Sequence, residues 1–113
     1  MTPDAIEKVV FRLLEALADG EYATAIRKCS NSRLTADDLD RTISIYGRTI
    51  IKPPLHLFEH LDCVAIQGRA DPAWSVRAPL WTLEEGRSDL TLELTVTEVN
   101  RSLFTEIDDL KVM

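Results

Sequence analysis

The sequence has few of the residues on which dedicated chemistry depends. Only four glycines occur in 113 residues, and they are dispersed, so neither a GxGxxG fingerprint nor a phosphate-binding loop can form. The two cysteines, Cys29 and Cys63, lie far apart without the CxxC spacing of metal or redox sites. We therefore expect two buried free thiols, and these residues predict neither a cofactor nor a metal.

Long apolar runs are also missing. The longest are only a few residues, whereas a membrane-spanning helix needs about 20. The start Met1-Thr2-Pro3-Asp4 lacks the basic residues of a signal peptide. These observations predict a cytoplasmic protein without membrane contact.

The length of 113 residues is that of one domain, and the sequence shows no low-complexity tract and no internal repeat. We predict a single α+β domain over residues 1–113, with a helical part over 1–47 and a sheet part over 58–113. The intervening segment stays open. Within it, Thr49-Ile50-Ile51 fits a short strand, and 55–60 fits either a helical turn or the entry to the sheet.

All of the net negative charge lies in the second half of the chain. Residues 1–52 carry eight basic and eight acidic side chains, whereas residues 53–113 carry five basic and eleven acidic ones, which accounts for the net charge of −6. An acidic surface repels the nucleic acid backbone and attracts basic surfaces. The distribution therefore predicts a basic protein partner and no nucleic acid.

Two helices are predicted before residue 30. The first has Thr2 as its N-cap and Pro3 in its first turn, carries apolar residues at helical spacing, and stops at Gly20. A short second helix is predicted at about 21–29. It ends at the cluster Ser30-Asn31-Ser32-Arg33, which is typical of a loop.

A third helix begins with a capping box. Thr35 stands at the N-cap, and Asp38 follows three residues later, where its carboxylate can bond back to the cap. The apolar stripe ends at Gly47, a natural C-terminal stop.

After residue 60 the apolar period changes from that of a helix to that of a strand. Leu90, Leu92, Leu94 and Val96 alternate with polar residues, so one face of the sheet should be buried and the other wet. Pro79 predicts an edge position or a bulge, and the parity slip at Asp108-Asp109 predicts a β-bulge. Strands are predicted over 61–66, 74–81, 90–97 and 103–112.

Helices followed by an antiparallel meander predict an α+β fold, with two or three N-terminal helices packed on a curved antiparallel sheet of about four strands. With a last strand of the form Ile107-Asp-Asp-Leu110-Lys-Val112, this order resembles the cone-shaped, cystatin-like fold of the nuclear-transport-factor-2-like superfamily. The block Pro79-Leu80-Trp81-Thr82 followed by 84–92 resembles a block in small uncharacterised bacterial proteins, some of them grouped near immunity proteins. That likeness implies no activity.

The cone resemblance implies two further hypotheses. Enzymes of that superfamily, such as isomerases and dehydratases, place an Asp or His inside the open cone. The corresponding cavity candidates here are Tyr46, His60, Asp62, Asp108 and Asp109. Each also has a structural interpretation, as core for Tyr46 and as a solvated or turn-stabilising group for the aspartates. Sheet-mediated dimers are frequent in the superfamily, so a homodimer through the wet sheet face is a second implication.

His56-Leu57-Phe58-Glu59-His60 matches the zinc-binding pattern H-x-x-E-H. That pattern needs a helix, whereas this segment follows Pro53-Pro54 and runs into a strand, and no later helix supplies a third ligand. We interpret the two histidines as surface or sheet-edge residues rather than as metal ligands.

The candidate partner-binding residues lie around an acidic hairpin. They are Glu84, Glu85, Arg87, Asp89, Glu93 and Trp81. The hairpin could instead be only a tight turn in which Arg87 pairs with Glu85 or Asp89. Trp74 and Trp81 should project to opposite faces by strand parity, one into the core and the other towards a partner or under a helix.

The sequence therefore favours a non-enzymatic binding protein, of an immunity type, that masks a basic partner with its acidic sheet face. The alternative is a small-molecule-binding protein or an isomerase- or dehydratase-like enzyme that uses the cone cavity. A filled or shallow cavity favours the first, and a deep pocket with Asp108 or His60 at its base favours the second.

Overall fold

The computed structural model describes residues 2–113, in which three α-helices precede a strongly curled sheet. The helices are α1 (Pro3–Ala18), α2 (Tyr22–Arg27) and α3 (Ala36–Tyr46), with a 3₁₀ helix at Leu57–His60. The strands are β1 (Asn31–Ser32), β2 (Ile50–Ile51), β3 (Asp62–Ala65), β4 (Ala73–Thr82), β5 (Gly86–Val99) and β6 (Ser102–Val112). The predicted α+β class is confirmed.

The helix ends follow the predicted capping chemistry. The Thr2 side chain accepts a hydrogen bond from the Ala5 N–H at 3.2 Å, which satisfies one free donor of the first turn. Thr35 and Asp38 form both bonds of the capping box, at 3.1 and 2.9 Å. Gly47 ends α3 with a φ of 74°, a conformation that glycine adopts without steric cost.

The sheet has six strands rather than the expected four or so. The order is β1-β6-β5-β4-β2, and β3 also pairs with β4. Of the two additional strands, β2 confirms the short strand that the segment 49–51 allows, whereas β1 lies in the cluster 30–33 that the sequence indicates as a loop. Each has two residues, which is too short to show an alternating pattern. Because β1 pairs with β6 in parallel, the sheet is mixed rather than purely antiparallel.

The two predicted irregularities are confirmed. The register of β4 against β5 shifts between Pro79 and Trp81. Pro79 also lies where β4 has no partner on its other side, because β3 ends opposite Arg77 and β2 begins opposite Trp81. In β6 the register shifts after Glu93 pairs with Asp109, which leaves Asp108 as the additional, bulged residue.

The core fills the space between the helices and the inner face of the sheet. Leu90, Leu92, Leu94 and Val96 of β5 are at most 1% exposed and pack in one cluster with the buried faces of α1 and α3. Within residues 2–113 the only buried polar residues are one serine and four threonines, and no ionisable residue is buried. The interior of the curled sheet is therefore packed with apolar side chains.

Both tryptophans of β4 contact this core. Trp74 and Trp81 are half-buried and pack against the same cluster. Trp81 is covered from the 3₁₀ helix by the His60 ring, whose centroid lies 5.2 Å away in an edge-to-face arrangement. The sequence allows the second tryptophan to lie either under a helix or towards a partner. Trp81 lies under the 3₁₀ helix.

No helix within residues 2–113 has the length and apolar character that crossing a bilayer requires.

Candidate functional site

Glu84, the first predicted partner-binding residue, is exposed, but hydrogen bonds within the chain already engage its carboxylate. Its Oε1 accepts the Thr49 backbone N–H and its Oε2 accepts the Thr49 hydroxyl, both at 2.8 Å. These two bonds stabilise the carboxylate form and lower the pKa of Glu84 below its ordinary value. The carboxylate therefore joins the β4–β5 turn to the segment after α3.

Glu85 is held in the same way. Its Oε1 accepts the Tyr46 hydroxyl at 2.8 Å and the Thr82 hydroxyl at 3.3 Å, and its N–H donates to Thr82. Burial raises the pKa of the Tyr46 phenol, and the bond to Glu85 adds to that effect. Tyr46 thus supports the hairpin and does not point into an open cone.

Glu93 lies on the outer face of the sheet, which is the face turned away from the helices. It pairs across the sheet with Arg77 of β4 and Asp109 of β6. Its Oε1 is buried and lies 3.1 Å from the Lys111 Nζ, which is itself 3.9 Å from Asp109. One lysine therefore serves two carboxylates.

Asp108 adds a further carboxylate to this face. As the bulged residue of β6 it turns to the outer side and accepts the Thr95 hydroxyl at 2.7 Å. Glu106, paired with Thr95, lies on the same face. We call Glu93, Glu106, Asp108 and Asp109 the acidic strip. Because these aspartates lie on the outer face, the prediction that they line a cone cavity is wrong.

The remaining candidates line a cavity of about 350 Å³ on the outer face next to the acidic strip, which we call the charged cavity. Arg87 and Asp89 of the hairpin lie here together with two of the cavity candidates, His60 and Asp62. Within residues 2–113 Arg87 forms no ion pair, so the predicted pairing with Glu85 or Asp89 is wrong. The charged cavity is lined by His60, Asp62, Arg77, Pro79, Arg87, Ser88, Asp89, Thr91 and Met113.

The H-x-x-E-H segment forms a single 3₁₀ turn. Leu57–His60 is helical, while His56 precedes it with a φ of 64°, so the two histidines do not lie on one turn of an α-helix. In the part of the chain that the structure describes, no three His, Cys, Asp or Glu side chains are grouped closely enough to hold a metal.

Both cysteines are free and half-buried. Burial raises the pKa of the Cys29 thiol to about 11 and also raises that of Cys63. Since the thiolate is the reactive form, neither is primed as a nucleophile at neutral pH.

Sequence reasoning missed several outer-face residues. Phe104 is 45% exposed and pairs with Thr97, and Glu106 lies two positions further along. The alternation of Leu103, Thr105 and Ile107 towards the core would have revealed both. Asp62 and Arg77 are directly opposite each other on β3 and β4, which only the register shows.

A family described as a domain of unknown function (DUF7668) has a model that matches residues 14–113. Neither the curated proteins nor the solved structures contain a match.

Proposed function

We propose that this chain, which belongs to the DUF7668 family of domains of unknown function, is a non-enzymatic binding domain that presents its acidic strip to a basic protein. It would act as an immunity-type protein that masks a basic partner. The observation that carries the proposal is the contrast between the two faces of the sheet. The inner face is filled with apolar side chains, and the outer face carries four carboxylates beside Lys111 and Arg77.

The filled interior argues against the alternative of an isomerase- or dehydratase-like enzyme in the cone. General acid or base catalysis needs an ionisable group positioned beside a bound substrate. The buried polar residues within 2–113 are serine and threonines alone, and Asp108 and Asp109 lie on the outer face. The order of elements still resembles the nuclear-transport-factor-2-like cone, which we propose as the fold relationship.

The outer face has features of a protein-binding surface. Charges that lie close together without equal compensation attract a partner of opposite sign and accelerate association. Phe104 and Val64, 45% and 59% exposed, lie on this face at its two sides and offer apolar contacts. Aromatic residues surrounded by polar ones are typical anchors of interfaces.

The test compares capture of a partner by the immobilised full chain with capture by two charge-reversal variants. Glu106→Lys changes the strip at a side chain that forms no hydrogen bond or ion pair within residues 2–113. Glu21→Lys makes the same change in net charge at an exposed position before α2. We expect a basic protein to be retained by the wild type and by Glu21→Lys, and to be lost with Glu106→Lys and with added salt.

Equal capture by Glu106→Lys and the wild type would overturn the proposal. The same face could instead hold a second copy of the chain, in which case sedimentation would give a dimer that Glu106→Lys alters. The immunity-type role also predicts that the gene lies beside a toxin reading frame. A neighbourhood without such a frame would contradict that part of the proposal.

A further inference from the structure

The charged cavity has a structural cause in the sheet. Residues 78–80 of β4 have no partner on one side. The pairing of β4 with β3 stops at Arg77, and its pairing with β2 starts only at Trp81. Pro79 lies in this gap and Thr91 lies opposite it on β5, and both line the cavity. A proline there leaves no backbone N–H without a partner. The opening is thus built into the strand arrangement.

The side chains around this opening carry both signs of charge. Asp62 and Arg77 face each other across β3 and β4, and Arg87 and Asp89 come from the start of β5. None of these four side chains makes a hydrogen bond or ion pair within residues 2–113. The neighbouring carboxylates of Glu84 and Glu85 are both bonded. The fold therefore leaves two guanidinium groups and two carboxylates around one cavity without using them.

We propose that the charged cavity binds a free α-amino acid. The guanidinium groups of Arg77 and Arg87 hold the carboxylate, for which their planar donors are suited. Asp62 and Asp89 accept from the ammonium group. A volume of about 350 Å³ lies at the small end of ligand sites, which span about 300–1,000 Å³, and it suits a ligand of this size.

A ligand with a single charge fits this cavity less well. An anion would be attracted by Arg77 and Arg87 but repelled by the carboxylates of Asp62 and Asp89. A cation would be attracted by the two carboxylates and repelled by the two guanidinium groups. A zwitterion places each of its groups against the opposite charge. This inference is independent of the proposed binding function, because the acidic strip uses other residues.

The test is an NMR titration of the isotope-labelled full chain with each of the twenty standard amino acids, at constant ionic strength and up to about 10 mM. We expect at least one to shift the amide signals of residues 87–91 saturably. Acetate and methylammonium, which each carry one of the two charges, should bind at least tenfold more weakly than that amino acid. Equal binding of acetate would make the cavity a simple anion site, and no saturable shift with any amino acid would overturn the proposal directly.

Variants then assign the ligand to this cavity. Asp62→Asn keeps the size of the side chain, Arg87→Gln shortens it, and each removes one charge. Each variant should bind the amino acid at least tenfold more weakly. Arg69→Gln and Asp71→Asn make the same changes in the exposed β3–β4 turn, outside the cavity, and should leave the affinity unchanged. Well-dispersed spectra would show that each variant is folded. Affinity retained in both cavity variants would contradict the proposal, and it would leave the acidic-strip experiment unaffected.

Discussion

The Glu84–Asp89 hairpin and the acidic strip are the two carboxylate-rich regions of the sheet half, and they use their charges differently. In the hairpin, Glu84 and Glu85 accept hydrogen bonds from Thr49, Tyr46 and Thr82. In the strip, four carboxylates lie on an open sheet face beside one lysine. The sequence alone places the partner-binding site in the hairpin, whereas the contacts favour the strip. The fold also uses part of the strip, since Asp108 accepts the Thr95 hydroxyl and Glu93 lies beside Lys111. The Glu106 side chain makes no hydrogen bond or ion pair within residues 2–113 and is therefore the strip carboxylate that is most available to a partner.

The largest loss of stability should come from a substitution in the apolar layer below the strip. Leu92 is fully buried between Thr91 and Glu93, and Leu92→Ala removes buried methyl groups and leaves a cavity. We expect the free energy of unfolding in urea to fall by about 2–5 kcal/mol. Ser75→Ala, an exposed outer-face change, should alter it by less than about 0.5 kcal/mol. Similar losses in the two variants would contradict the assignment of inner and outer faces.

The second-largest loss of stability should come from a substitution at the base of the hairpin. The buried Ser88 hydroxyl donates to the Leu80 carbonyl at 2.9 Å and accepts the Leu90 N–H at 3.2 Å, across the register shift of β4 and β5. Ser88→Ala leaves both backbone groups without this partner and should cost about 1–3 kcal/mol in urea unfolding. Ser102→Ala, at an exposed strand end, serves as the control. A neutral Ser88→Ala would mean that the hydroxyl does not stabilise the shift.

Lys111 tests how far the strip depends on the cation that forms ion pairs with it. Lys111→Met keeps the length of the side chain but removes the charge that lies 3.1 Å from the buried Glu93 Oε1. We expect a loss of about 1 kcal/mol in stability, since a partly buried carboxylate then lacks a partner. The same variant makes the strip more acidic and should strengthen the capture of a basic protein. Weaker capture by a folded Lys111→Met variant would contradict the proposed polarity.

The smallest effect should come from Glu84. Its pKa is lower in the folded chain than in the unfolded one, so its carboxylate stabilises the fold above its unfolded pKa, and this contribution is lost as the pH falls through the folded value. Glu84→Gln should lower the Tm at pH 7, and the difference from the wild type should shrink on acidification below about pH 4.5. A constant difference in Tm between pH 7 and pH 3 would show that ionisation of Glu84 is not involved.

The sequence predicts much of the fold because the relevant signals are local. The caps at Thr2 and Thr35, the alternation of Leu90 to Val96 and the bulge at Asp108 each depend on neighbours along the chain. The two-residue strands β1 and β2 carry no such pattern, and pairing partners distant in sequence define them.

The candidate site was predicted less well for the same reason. Two of its contacts depend on how distant segments pair and not on spacing in the sequence. They are the hydrogen bond of Thr49 to Glu84 and the position of Asp62 opposite Arg77. His60, Arg87 and Asp89 were selected for different roles, yet they line one cavity. Residue type was enough to select these side chains, but their grouping required the structure.

The bulge at Asp108 changes which residues of β6 face the core. Ile107 and Leu110 are three positions apart and yet both face the core, which a regular strand forbids because its side chains alternate. Before the bulge the odd-numbered residues of β6 face inwards, and after it the even-numbered ones do. If Asp108 were paired as a regular strand residue instead of being bulged, Asp109 and Lys111 would turn towards the apolar interior and Leu110 towards water. The bulge at Asp108 therefore decides which side chains the end of β6 presents on the outer face.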